Sequence, residues 1–194
     1  KNIDIKYHHT LTEVRPDKNE AVFKDASGKE SVIKYRLLHV APPMGTQSFV
    51  RNSPLAAANG FVDVDKNTLQ HNKYRNVFSL GDCANLPTLK SIGALTYQAP
   101  TVVTNLLAAM NNQPLPARYN GYSSFPITTS FTTVMLTESL YDGATKELFP
   151  FDQSKPRRPL WLVNRYIFPK IYWDLFLKGN WYGPSLFWRP RDKQ

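Results

Sequence analysis

Residues 76–90 read NVFSLGDCANLPTLK: a short apolar run, a glycine and a carboxylate, then a turn-rich stretch before a helical pattern. Glycine at a strand's end permits close backbone approach or a φ closed to other residues. An aspartate beside it can accept hydrogen bonds from ligand hydroxyls. A helix starting just beyond offers unpaired amides and a partial positive charge to an electron-rich atom. Taken alone, Gly81-Asp82 reads equally well as a helix cap or a turn-stabilising pair. Cys83 is the sole cysteine, which excludes an internal disulfide and a cysteine-rich metal site. It reads as a small apolar filler. His8, His9, His39 and His71 lack ligand spacing, so no metal is expected.

The elements needed to position these groups follow from patterning. Residues 1–45 suggest a β-meander, with strands over 3–7, 20–24 and 31–40 and turn chemistry at 16–19 and 25–29. Pro42-Pro43 ends the last strand abruptly. Residues 46–75 are mostly connection, and 77–80 form a short buried strand. Residues 90–111 carry apolar side chains at helical period, with Pro100 expected to kink or divide the helix. Residues 119–149, with ITTSFTTVML, predict one or two antiparallel hairpins. Three regions result, 1–45, 46–150 and 151–194, in an α+β or α/β chain. Opening on Lys1, it reads as a portion of a longer or processed polypeptide.

The net charge of +9 is unevenly placed. Residues 151–194 hold nine Lys/Arg against three Asp/Glu, together with all four tryptophans. Residues 159–178, PLWLVNRYIFPKIYWDLFLK, repeat apolar side chains every three to four positions. Arg165, Lys170, Asp174 and Pro169 interrupt the run, so two short amphipathic helices divided at Pro169 are expected at a membrane interface rather than a span. The same aromatics could instead pack on a protein core. Nucleic acid is not expected, because the basic residues are scattered among large aliphatics and no binding motif appears.

Longer strings add a resemblance. V-F-x-x-G-D-C-x-N-L-P-T-x-K, followed by Gln98, resembles the second FAD-binding motif of two-dinucleotide-binding-domain flavoproteins. Within them LTEVRPDKNEAVF, LLHVAPPM, FVDVDKNTLQH, YNGYSS-x-P and ELFPFDQSK resemble the carboxyl-terminal half of mitochondrial sulfide:quinone oxidoreductases. The resemblance implies a partial FAD/NAD(P)-binding fold: a meander, a strand–helix FAD unit, antiparallel hairpins and a carboxyl-terminal pair of amphipathic helices. It implies FAD as cofactor, with Gly81 and Asp82 at the ribityl-phosphate portion. Lys90 and Gln98 would lie near the isoalloxazine or quinone side, and Pro42 and Pro43 near the flavin. Electrons would pass from sulfide through flavin to ubiquinone, with a small sulfur acceptor, at the surface of the mitochondrial inner membrane. Phe149, Phe151, Phe168, Tyr172 and Trp173 are the expected quinone and membrane residues.

Two departures qualify this. None of the nine glycines makes a GxGxxG pattern, so pyrophosphate contacts are missing from this stretch. The family's redox cysteine before the proline of YxGYxSCP is Phe125 here, and a phenyl ring cannot attack sulfur. A catalytically impaired paralogue or scaffold is therefore one alternative. A type II NADH:quinone dehydrogenase-like flavoprotein is another.

Overall fold

The computed structural model describes residues 3–181; Trp188 and the rest of the basic terminus lie outside the described residues. The chain forms two compact units, residues 1–44 and 45–194.

The first unit is a three-stranded antiparallel meander: β1 (Thr10–Arg15), β2 (Glu20–Lys24) and β3 (Glu30–Lys34) in order. The central strand packs best, with Ala21 and Val22 buried. Asn19, at φ +53, closes the first turn by donating its amide to the Pro16 carbonyl. Asp25 organises the second, accepting from the Ser27 and Lys29 amides and the Ser27 hydroxyl. The expected strand at 3–7 does not form. Despite their alternation, Ile3, Ile5 and Tyr7 pair with no strand and stand exposed. β1 takes that place from a more polar sequence, because the turn at 16–19 returns it onto β2, with one bulge between Leu11 and Glu13. The third strand is shorter than expected and stops at Lys34.

In the second unit, α1 (Ser48–Arg51) leads into a compact loop region joined by isolated bridges: Ala56 with Val62, Val64 with His71, Gln70 with Phe78, and Val62 parallel to Ala84. The run at 77–80 is thus not a ladder strand among the described residues, since only Phe78 pairs. Asp65 takes the amides of Asn67 and Thr68 and the Thr68 hydroxyl. His71 donates from Nε2 to the Leu55 carbonyl and accepts from the Lys73 and Tyr74 amides at Nδ1. Leu69 adopts a left-handed φ of +62 yet is fully buried. Full burial of a leucine, about 1.5–3 kcal/mol, offsets a strain of about 1–3 kcal/mol.

α2 (Ile92–Met110) starts at the Ser91 cap and is not divided at Pro100. Pro100 removes the helix bond to the Thr96 carbonyl, and, one position on, the Thr101 hydroxyl donates to the Tyr97 carbonyl. Its inner face carries Ala94, Gln98, Thr101, Val102 and Asn105. Around Val102 gathers the core: Val62, Val64, Leu69, Ala84, Leu86, Tyr119 and Tyr122. Asn105 is fully buried and ties Thr68 to Ala117, donating to both carbonyls and accepting the Ala117 amide.

β4 (Ser123–Ser130) and β5 (Thr133–Ser139) make one antiparallel hairpin. Alternate β5 residues Val134, Leu136 and Glu138 point inward, and the first two pack with Leu160 of α3 (Arg158–Leu162). The helical path then continues through wide i→i+5 turns over Val163–Ile167 and Ile171–Phe176, with α4 (Phe168–Lys170) between them. The expected pair of helices divided at Pro169 is therefore one helical run, the wide turns on either side accommodating a residue that cannot donate. Among the described residues no helix is long and apolar enough to cross a membrane.

Candidate functional site

The Gly-Asp-Cys triplet forms a single tight turn, Gly81–Cys83. Gly81 sits at φ +72, where a side chain would be strained even though the space beside it is ordinary. Its amide donates to Gln98 Oε1 at 2.7 Å. Gln98, 2% exposed, donates from Nε2 to the Tyr119 hydroxyl, which donates onward to the Tyr122 carbonyl at 2.6 Å. Both ends of the Gln98 amide are thus engaged inside the protein, and Gln98 holds the turn from behind.

Asp82 points outward, and its carboxylate accepts no hydrogen bond and makes no ion pair among the described residues. Lys90 is half-buried; its Nζ donates to the Ala84 carbonyl at 2.8 Å and lies 4.6 Å from the Phe61 ring centre. Burial pulls its pKa below the ordinary lysine value, against the opposing charges of Asp82 and Cys83. At the start of α2 the Ser91 hydroxyl accepts the Ala94 amide, and the amides of Ile92 and Gly93 have no partner among the described residues. Gly81, Asp82, Thr88, Lys90, Ser91 and Gln98 line one small cleft. It offers an unengaged carboxylate, an amine and the positive end of a helix within one short stretch. That set suits a hydroxyl-bearing ligand with an electron-rich end.

Gly93, unremarkable in the pattern, fixes the next layer. A Cβ there would lie 2.1 Å from Ser124 Oγ and 2.7 Å from the Ser124 carbonyl oxygen, so β4 meets the first turn of α2 backbone to backbone. Phe125, adjacent in sequence, pairs with Thr137 and lies on the other face of the hairpin, 48% exposed. Cys83 packs against the core with Sγ 3.3 Å from Ser79 Oγ and 3.4 Å from the Leu80 carbonyl.

A second polar centre lies under the hairpin. Glu138, 3% exposed, accepts the Tyr122 hydroxyl at one oxygen and the Gln153 side-chain amide (2.7 Å) and the Leu148 amide (2.8 Å) at the other. Burial and this carboxylate both push the Tyr122 hydroxyl's pKa well up. Gln153, fully buried, also donates its backbone amide to Glu147. The ELFPFDQSK string is thereby explained by folding: Gln153 anchors the segment to β5. A glutamate in the same alternating register as Val134 and Leu136 was the available signal.

Four of the five expected aromatic residues fall into two ring-contact groups. Phe149 and Phe151 stack at 5.4 Å and pack with Val134, Leu136, Leu160 and Trp161. Further along the helical run, Tyr172 meets Trp173 edge-on at 5.1 Å and stacks near Phe176; Trp173 and Phe168 are exposed. Pro42 and Pro43 are exposed residues of the first unit. No cluster of three potential metal-ligating side chains occurs among the described residues.

No family model matches the chain. Three curated proteins named mitochondrial sulfide:quinone oxidoreductase are similar to it. The Dictyostelium discoideum protein is 47% identical over 191 residues, covering 98% of this chain and 42% of its own length. The mouse protein is 44% identical over 187 residues (95% and 42%), and that of Schizosaccharomyces pombe 40% over 190 (94% and 41%). The chain thus spans well under half the length of the curated relatives it matches. Among solved structures, a chain of the Tetrahymena thermophila mitochondrial ATP synthase F1Fo tetramer superposes with TM-score 0.80 at 32% identity, covering 94% of this chain and 44% of that one. The sulfide:quinone oxidoreductase of Aquifex aeolicus shares the fold, with TM-score 0.63 at 13% identity over 91% of this chain and 42% of its own.

Proposed function

We propose that this chain, homologous over nearly all its length to the mitochondrial sulfide:quinone oxidoreductases, forms the part of an FAD site that meets the ribityl chain and flavin ring. The carrying observation is the pairing of an unengaged Asp82 carboxylate with a Gly81 turn held from behind by Gln98. The residues fit the cofactor: Asp82 is open to ribityl hydroxyls, and Gly81 presents no side chain. The unpaired amides at the start of α2 offer positive potential to a ring oxygen. Lys90, lining the same cleft, adds a cation whose charge its burial makes easier to shed. Pro42 and Pro43 are assigned to the flavin's surroundings by kinship.

FAD, when bound, supplies the two-electron redox chemistry. In this reading sulfide is the donor, with a small sulfur acceptor, and ubiquinone is the acceptor. Phe149, Phe151, Phe168, Tyr172 and Trp173 contribute the apolar surface toward quinone and lipid, at the mitochondrial inner membrane. Exposed Trp173, Tyr166, Ile167 and Leu177 beside Arg165, Lys170 and Lys178 suit a headgroup boundary. The purified natural protein, titrated anaerobically with sulfide, should lose its flavin absorbance and regain it with added quinone. An unchanged spectrum rejects sulfide as donor.

Two observations favour a second reading, a relative that keeps the fold without the sulfide reaction. Phe125 stands where the redox thiol is expected, and a homologous fold occurs within the Tetrahymena ATP synthase assembly. Phe125→Cys should confer sulfide-dependent flavin reduction if this one side chain explains the loss.

A further inference from the structure

A second and larger cleft, of about 400 Å³, lies between the loop at 65–75 and the segment at 114–118. That volume is within the range of small-molecule sites. Arg75 and Arg118 both line it, and both are exposed. Neither guanidinium makes an ion pair among the described residues. The heads are free, but the backbones beneath them are not. His71 donates its amide to the Val77 carbonyl, and the Gln70 side chain donates to the Arg75 carbonyl at 2.7 Å, so the loop carrying Arg75 is pinned at its neck and at its tip. Arg118 sits between Ala117, held through both backbone groups by buried Asn105, and Tyr119, whose amide donates to the Asn67 carbonyl at 2.7 Å. Asn105 also donates to Thr68. Both arginines are therefore mounted on segments tied to the one turn at 65–68, which lowers the ordering cost of binding.

The other lining groups narrow the ligand. Asp65 is the one carboxylate in the cleft. Its Oδ1 accepts the Asn67 and Thr68 amides and the Thr68 hydroxyl, whereas Oδ2 accepts nothing among the described residues. Burial opposes its charge, but the Thr68 and Asn67 donors and the charge of Arg118 hold its pKa below the ordinary aspartate value. Asp65 thus remains an acceptor that repels an anion and welcomes a hydroxyl. His71 accepts two amides at Nδ1, so it adds a wall and no charge. Pro114 and Leu115 add an apolar side. Two guanidiniums match a phosphate monoester of charge about −2, which accepts paired bonds, better than a single carboxylate. We propose that this cleft binds a small phosphate ester bearing free hydroxyls, its phosphate on Arg75 and Arg118, a hydroxyl on Asp65 Oδ2 and its carbon skeleton against Leu115. The site shares no lining residue with the cleft at Gly81 and does not depend on the redox reading.

The test is titration calorimetry of the purified natural protein with ribose 5-phosphate as probe. One site is expected, with inorganic phosphate roughly tenfold weaker and ribose silent. Arg75→Gln and Arg118→Gln should each weaken binding by roughly tenfold or more, with melting unchanged because both side chains are exposed. Arg118→Lys should stay weak, since a point charge lacks the planar fork. Asp65→Asn, which keeps an oxygen for the Thr68 amide, should weaken ribose 5-phosphate and spare phosphate. Asp82→Ala, in the other cleft, should change nothing. Four results overturn the proposal: no binding at millimolar probe, binding that survives both glutamine substitutions, equal affinity for phosphate and ribose 5-phosphate, or loss of binding in Asp82→Ala.

Discussion

Two buried polar centres, about Gln98 and about Glu138, solve different problems. Gln98 is neutral, lies behind a cleft and holds one amide of an exposed turn. Glu138 is a carboxylate sealed under a hairpin, with three donors converging on it. Both are nearly inaccessible, so burial alone does not reveal a site. What distinguishes them is what each leaves available. Around Gln98, Asp82 and two helix-start amides remain unengaged; around Glu138, Tyr122, Gln153 and Leu148 are all committed. The second arrangement is a folding device, and the first leaves polar groups open beside a cleft.

The sharpest way to break this contrast is Glu138→Ala. It strips three buried donors of their acceptor and should cost about 3–5 kcal/mol in urea unfolding. If it instead leaves stability intact while abolishing cofactor binding, Glu138 belongs to the site and the contrast fails. Gln98→Leu should cost less, about 1–3 kcal/mol, because Tyr119 keeps its bond to the Tyr122 carbonyl. It should also weaken flavin binding by more than its stability loss explains, measured by equilibrium titration in the intact protein. Asp82→Ala should leave stability within about 0.5 kcal/mol and raise the flavin dissociation constant about tenfold, the value of one charge-assisted hydrogen bond.

The smallest effect concerns pH. The Ser154 hydroxyl, followed by Lys155, lowers Asp152 from 3.8 to about 2. A carboxyl depressed on folding stabilises the folded state above its unfolded pKa, and that contribution disappears as pH falls through the folded value. Between about pH 4 and pH 2 the loop carrying Gln153 should therefore lose a little stability, and Asp152→Asn should flatten that dependence in a two-dimensional NMR titration.

How legible these features were differs by cause. Glu20–Lys24 and the β4–β5 hairpin were readable because alternation and turn chemistry are local. Gly81, Asp82, Lys90 and Gln98 were readable as one string, and they line one cleft. The support for Gln98 was not: Tyr119 lies twenty-one residues away, and its meeting with Gln98 depends on the path after α2. Residues 3–7 misled because alternation says nothing about a partner strand. Pro169 misled in the other direction, since wide turns can accommodate a missing donor, and Pro100 lies inside α2 without dividing it. Glu138 shows how an acidic residue in an apolar register signals burial only once its donors are known.

The absent side chain at position 93 has a consequence for how such a protein can change over generations. With no atom to spare between α2 and Ser124, an alanine at 93 must push the two backbones apart, so this position tolerates no experiment. Phe125, one step along the same strand but turned outward, is under no such constraint. The scaffold can thus keep its shape while the group at 125 is exchanged by a single codon, without refolding the rest.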